Sequence, residues 1–172
     1  MSPRGGMRVL GLAGWSGAGK TTLLAALIPC LLGRGVSVST LKHAHHGFDV
    51  DRPGKDSFVH REAGASQVLV ASAQRWALMT ELRGAPEPGL AELLGQLAPV
   101  ELVLVEGFKR EGHRKLEVFR AANGKPWLHP DDAGIVAVAA DRPPPAPLPH
   151  AALDDVPGIA DLVLEHARPW PS

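Results

Sequence analysis

The chain has 172 residues, 45% of them hydrophobic and 21% charged, with a mean hydropathy of +0.00, which is the size and composition of roughly one globular domain. Lysine plus arginine and aspartate plus glutamate each total 18, and with a pI near 7.1 no overall field points to nucleic acid or an anionic membrane. The single cysteine, Cys30, excludes an internal disulfide and a four-thiolate zinc site, and fits a reducing, cytoplasmic setting.

In chain order, Met7 to Ala13 reads as a first strand. Its apolar stretch, Val9 to Ala13, is too short for a signal sequence and runs into Gly14 to Lys20 rather than a cleavage site. Lys20 to Leu32 has helical composition and stops at Gly33 and Gly35. Its apolar run from Leu23 to Leu32 is broken by Pro29 and falls far short of the roughly 20 residues a bilayer span needs. Val36 to Lys42 is a second strand. After a polar loop, Asp56 is expected to cap a helix over Ser57 to Gly64. Gln67 to Ala71 and Arg75 to Thr80 are placed to form a hairpin, and Leu90 to Leu97 a short amphipathic helix. Leu102 to Val105 is a continuous apolar strand, Lys115 to Arg120 an alternating one, and Ile135 to Ala139 another buried run.

Half of the 16 prolines lie beyond Asp141. Residues 143–149 read as an extended linker leading to a closing helix over residues 157–166, announced by Asp154, Asp155 and Pro157. The whole, residues 1–172, reads as a single α/β domain. Three layers are expected: a mostly parallel sheet, helices on both faces, and some antiparallel strands.

One motif carries specific chemistry. Gly14-Trp15-Ser16-Gly17-Ala18-Gly19-Lys20-Thr21 matches G-x-x-x-x-G-K-[ST] in full, between a predicted strand and a predicted helix. Such a loop curls so that successive N–H groups face phosphate oxygens, and the following helix adds its positive end. Lys20 is then expected on the β and γ phosphates, and the Thr21 hydroxyl on Mg²⁺. Glu106 ends the apolar strand, followed by Gly107, and is the candidate for holding the metal's water shell or orienting an attacking water. The nucleotide base is less defined. Asp141, at the end of the Ile135 strand, could accept from a guanine ring or be a solvated turn acid, and composition does not separate GTP from ATP.

Residues 42–61 hold four of the eight histidines. His43, His45, His46, Asp49 and Asp51 are candidate metal ligands, although their spacing matches no closed zinc site. A second reading is anion binding: Lys42, His43, Arg52, Lys55 and Arg61 are donors that a turn at Pro53-Gly54 lets converge, with Asp49 or Asp51 near Mg²⁺. A mobile polar loop is the third. Beyond Glu106, Lys109, Arg110, His113, Arg114, Lys115 and Arg120 suggest a second basic patch. Trp15, Trp76 and Trp127 read as packing residues.

The phosphate loop extended through Thr22 and Leu23, the stretches Leu41-Lys42-His43-Ala44-His45-His46 and Phe48-Asp49-Val50-Asp51, Pro53-Gly54-Lys55-Asp56-Ser57, residues 60–65, and Leu102 to Lys109 together resemble the molybdopterin-guanine dinucleotide biosynthesis adaptor family, MobB. The likeness runs from about Met7 to Asp141. It implies a P-loop NTPase fold and a GTP- and Mg²⁺-binding, slowly hydrolysing protein, usually a homodimer. Such a protein assists the guanylyltransferase that joins GMP to molybdopterin. By the resemblance, Gly14, Gly17, Gly19, Lys20, Thr21 and Thr22 form the nucleotide loop, with Ser16 and Ala18 inside it, and Glu106 with Gly107 the acidic strand end. The segments around His45 and Lys55, with Asp56 and Arg61, are shared motifs without assigned roles, and with Lys109 they are candidates for the pterin or the partner enzyme. Two other classes remain open: a small-molecule kinase with Asp56 or Glu106 as base, and a nucleotide-driven metallochaperone built on His43, His45 and His46.

Overall fold

A computed structural model describes residues 6–44 and 47–170. Its contacts fall into two compact units, residues 1–43 with 90–172, and residues 44–89. In chain order, β1 (Arg8–Ala13), α1 (Lys20–Gly33) and β2 (Val38–Lys42) open the first unit. The second holds α2 (Asp56–Glu62), β3 (Gln67–Ala71) and β4 (Trp76–Thr80). The first resumes with α3 (Leu90–Leu94), β5 (Leu102–Glu106), β6 (Lys115–Phe119), a 3-10 turn (Ala121–Asn123), β7 (Ile135–Ala140), β8 (His150–Ala152), α4 (Val156–His166) and β9 (Arg168–Pro169).

The main sheet runs β2-β5-β1-β6-β7-β8, and each neighbouring pair is parallel. β6 pairs with β1 only at Gly11, Leu12 and Ala13, and the short β9 pairs antiparallel with Arg8 and Val9. Parallel strands need covered faces, and both faces here are covered. On one, Leu10, Leu12, Leu102, Leu104, Leu116 and Val118 pack against Leu23, Leu27 and Leu31 of α1 and Ile159, Ala160 and Val163 of α4. On the other, Val9, Val103 and Val105 meet Leu90 and Leu94 of α3, while Phe119, Val138 and Ala140 meet Trp127 and Leu148. The period-2 alternation of β1 and β5 thus feeds two cores on opposite faces of one sheet. The result is the mostly parallel, three-layer α/β architecture that the sequence predicts.

Local outcomes differ in four places, two in the first unit and two in the second. β6 was expected to alternate, but all five of its residues are buried. Lys115 and Glu117 stay inside because each has a polar partner there, as buried charge requires. The proline-rich run does not lead directly into the closing helix; it first delivers β8, with Pro149 accepting from the Val138 N–H at 2.9 Å. α4 then starts as its sequence indicates, with the Asp155 carboxylate accepting from the Gly158 N–H at 3.0 Å.

In the second unit, β3 and β4 form the expected antiparallel hairpin, with Leu69 opposite Leu78 and Ala71 opposite Trp76. Leu69, Val70, Trp76 and Leu78 remain exposed, Trp76 at 68%. That tryptophan is therefore not the packing residue the sequence suggested. Lys55, not Asp56, is the residue before α2, and its side chain makes no capping bond. Asp56 is instead the first helical residue, where its charge favours the helix's positive end.

Candidate functional site: a phosphate-binding loop

Residues 14–19 join the end of β1 to α1. Gly17 and Gly19 have φ of 82° and 97°, a left-handed backbone that residues with side chains disfavour. Gly19 is the N-cap of α1, whose first turn contains no acidic residue, so the helix presents uncompensated N–H groups at the loop. Ala18 is buried in the core and anchors the loop, while Thr21 and Thr22 are exposed in the first helical turn. Lys20 folds back, its Nζ donating to the Gly14 carbonyl at 2.7 Å and the Trp15 carbonyl at 3.1 Å. Burial lowers its pKa, Glu106 opposes that shift, and Lys109 and Lys42 add to the lowering. An anion arriving at the loop would relieve this concentration of positive charge.

Parallel pairing puts the acidic strand end beside the loop. Glu106 is in register with Leu12 of β1 on one side and Lys42 of β2 on the other. Its carboxylate, 18% exposed, lies 3.9 Å from Lys42 Nζ, and its carbonyl accepts from the His43 N–H at 2.8 Å. Gly107 has φ of 96°, and a methyl group on it would lie 2.5 Å from His43 Cβ. Only glycine fits there. Phe108 is also left-handed, at φ of 50°, an unfavourable conformation of the kind held at functional sites by surrounding structure. The His43 ring packs 4.7 Å from the Phe108 ring. Lys42, His43, Glu106 and Gly107 thus meet beside the loop.

The residues predicted in the second unit have partners of their own. Both Asp49 carboxylate oxygens accept from the Arg61 guanidinium, at 2.8 and 3.1 Å, which holds the Asp49 carboxyl below its ordinary pKa. Arg61 also lies 3.6 Å from Glu81 and over the Phe58 ring. Asp51 accepts from the Ser57 hydroxyl at 2.7 Å. Metal binding by Asp49, or anion binding by Arg61, would have to displace these bonds. Lys55 and Asp56 are exposed. His45 and His46 lie outside the described residues, among which no group of three or more His, Cys, Asp or Glu side chains is disposed to hold a metal.

The second basic patch is not one face. Lys115 is buried, with Nζ donating to the Glu111 carbonyl at 3.0 Å and lying 3.2 Å from Asp132. His113 is 5% exposed, and neither ring nitrogen has a hydrogen-bond partner. Gly11 of β1 makes room for it, since a methyl there would collide with His113 Nε2. Lys109, Arg110 and Arg114 remain exposed.

Burial, reinforced by the Lys115 charge, lowers the His113 pKa from 6.5 to about 4. The folded protein therefore resists a proton that the unfolded chain accepts. Stability conferred by this neutral ring is full above pH 6.5 and is lost as the pH falls towards 4, by about 3 kcal/mol. His113→Gln should show a correspondingly smaller drop in urea midpoint between pH 7 and pH 4.5, and an equal drop in both proteins would refute this.

Sequence reading missed the segment after β6. Asn123 Nδ2 donates to the Ser16 carbonyl at 2.9 Å, the Trp15 indole donates to the Pro126 carbonyl at 2.9 Å, and Lys125 Nζ lies 5.7 Å from the Trp15 ring centre. This segment clasps the outer turn of the phosphate loop. Asp141, proposed as a base reader, anchors the clasp: its two carboxylate oxygens accept from the Ala121 N–H at 3.0 and 2.9 Å. Behind it, Glu117 accepts from the Leu128 N–H, the His129 N–H and His129 Nδ1, at 2.7, 3.1 and 2.9 Å. Trp127 stacks on Phe119 at 3.6 Å. The Asn-Gly pair at 123–124 was the one available sign of a turn.

Residues 9–141 match the family model described as molybdopterin guanine dinucleotide synthesis protein B. The chain is 46% identical over 160 residues to the molybdopterin-guanine dinucleotide biosynthesis adapter protein of Escherichia coli K12, covering 91% of each. It is 43% identical over 158 residues to the Haemophilus influenzae protein of the same description, covering 90% of this chain and 86% of that one. A crystal structure of molybdopterin-guanine biosynthesis protein B superposes with a TM-score of 0.73 at 26% identity, covering 91% of this chain and 98% of the other. Bacillus subtilis MobB does so at 0.70 and 24% identity, covering 94% and 99%. On sequence, fold and loop geometry together, the chain belongs to the molybdopterin guanine dinucleotide synthesis protein B family, MobB.

Proposed function

We propose that this member of the MobB adaptor family binds GTP with Mg²⁺ at the loop and, as a cytoplasmic homodimer, assists the guanylyltransferase that converts molybdopterin to its guanine dinucleotide. The observation that carries the nucleotide reading is the loop itself. Two left-handed glycines, the open amino end of α1 and Lys20 meet at one place, beside the buried edge of Glu106. Lys20 would leave the Gly14 and Trp15 carbonyls for the terminal phosphates. Thr21 and Glu106 fit a hard cation, because both offer oxygen and the Thr21 hydroxyl makes no hydrogen bond among the described residues. When bound, Mg²⁺ would neutralise charge on the phosphates. Glu106 would hold its water shell or orient an attacking water.

In this reading hydrolysis is slow, and the protein acts mainly as an accessory to the guanylyltransferase. The homodimer is supported by the β3–β4 hairpin, whose exposed Leu69, Trp76 and Leu78 are costly to leave in water. Among the described residues no helix is long and apolar enough to cross a membrane. The partner role is tested by reconstitution: guanylyltransferase, GTP and molybdopterin with and without this protein. Faster dinucleotide formation with wild type is expected, and no stimulation over a range of GTP concentrations would contradict the role.

A further inference from the structure

Arg120 follows β6 directly and is exposed. A methyl group built on Gly19 would lie 3.4 Å from its Nη2 and 3.9 Å from its Nε, so the guanidinium rests against the N-cap of α1. Among the described residues no carboxylate pairs with it. Its position is electrostatically costly without a counter-charge. A cation at the amino end of a helix opposes the helix dipole, α1 has no acid in its first turn, and Lys20 is the next residue along. Three positive groups thus surround one short stretch of backbone. The clasp fixes the backbone that carries Arg120: Ala121 is held by Asp141, and Asn123 is bonded to Ser16.

We propose that Arg120 is a further ligand of the nucleotide, supplied in cis by the clasp and directed at the inner, α and β, phosphates. The assignment rests on the nucleotide reading above. Lys20 turns back towards the start of the loop, at Gly14 and Trp15, whereas Arg120 stands at its end, at Gly19. Two cations at opposite ends of the loop suit an extended polyphosphate, with Lys20 on the terminal groups and Arg120 on the inner ones. The planar guanidinium also matches two oxygens of a phosphate better than an ammonium does.

The test is calorimetric titration of wild type, Arg120→Ala and Arg120→Lys with GDP and with a non-hydrolysable GTP analogue, each with Mg²⁺, alongside melting temperatures without nucleotide. Arg120→Ala should weaken both nucleotides by a similar factor of about 10 to 100, as loss of a charged hydrogen bond implies. Arg120→Lys should recover part of that. The nucleotide-free melting temperature should not fall, because the side chain has no partner to lose. Undiminished affinity in Arg120→Ala would overturn the inference while leaving the phosphate loop intact. Weakening confined to the GTP analogue would overturn the inner-phosphate assignment. Absence of binding by wild type would remove the nucleotide reading itself, and this inference with it.

Discussion

Glu117→Ala is expected to destabilise the protein by about 3 to 5 kcal/mol, the range for removing one partner from a buried polar pair. The carboxylate is 1% exposed and accepts three hydrogen bonds from Leu128 and His129. Alanine leaves those donors buried with nothing to accept them, and His129 Nε2 already lacks a partner. Glu117→Gln keeps one acceptor oxygen and should lose markedly less. Urea denaturation of the three proteins checks this, and an unchanged midpoint in Glu117→Ala would contradict it. The same substitution should raise amide exchange in residues 121–129, because Glu117 ties that segment to the sheet from which it reaches the phosphate loop.

The second large effect is on ligand binding. Lys20→Ala should reduce affinity for a GTP analogue by about 100-fold or more, since each charge-assisted bond to phosphate is worth about 1.5 to 3 kcal/mol and the ammonium makes more than one. Stability without nucleotide should barely fall. The lost bond to the Trp15 carbonyl is exposed and replaceable by water, and the one to the Gly14 carbonyl is part-buried, but burial already disfavours the charged ammonium there, which offsets its loss. Titration of mutant and wild type, with thermal melts of both, separates the two effects. Wild-type affinity in Lys20→Ala would exclude the loop as the nucleotide site.

What the sequence disclosed followed from how local each signal was. β1, β5 and β7 are runs of apolar residues bounded by glycine or acid, and α1 begins at a motif whose backbone is dictated by its own glycines. These could be placed within a residue or two. β8 and β9, of three and two residues, are too short to have a period and exist only because a neighbouring strand offers an edge. β6 misled because alternation reports exposure only when the polar partner is water; here Lys115 and Glu117 find Asp132 and His129 inside. The residue type of Asp56 points to a cap, but α2 already begins at Asp56, one residue earlier than that role allows.

The site divides the same way. The phosphate loop and Glu106 were legible because both lie on contiguous segments with their own spacing. Asp49 and Arg61, each attractive as a ligand, turned out to hold each other across 12 residues, a pairing that no pattern encodes. The clasp of Asn123, Lys125 and Pro126 was invisible for the same reason: it acts on Trp15 and Ser16 from more than 100 residues away. Asp141 directly follows β7 as its place in the sequence suggests, and its carboxylate bonds go to the Ala121 N–H, a partner 20 residues away that no local pattern encodes.

The most direct test of the account is calorimetric titration of the wild-type protein with non-hydrolysable GTP and ATP analogues in the presence of Mg²⁺. Saturable binding of the guanine analogue, at least about 10-fold tighter than the adenine one and so about 1.4 kcal/mol apart, is the expected result. Equal affinity for both, or preference for the adenine analogue, would contradict a GTP-dependent adaptor.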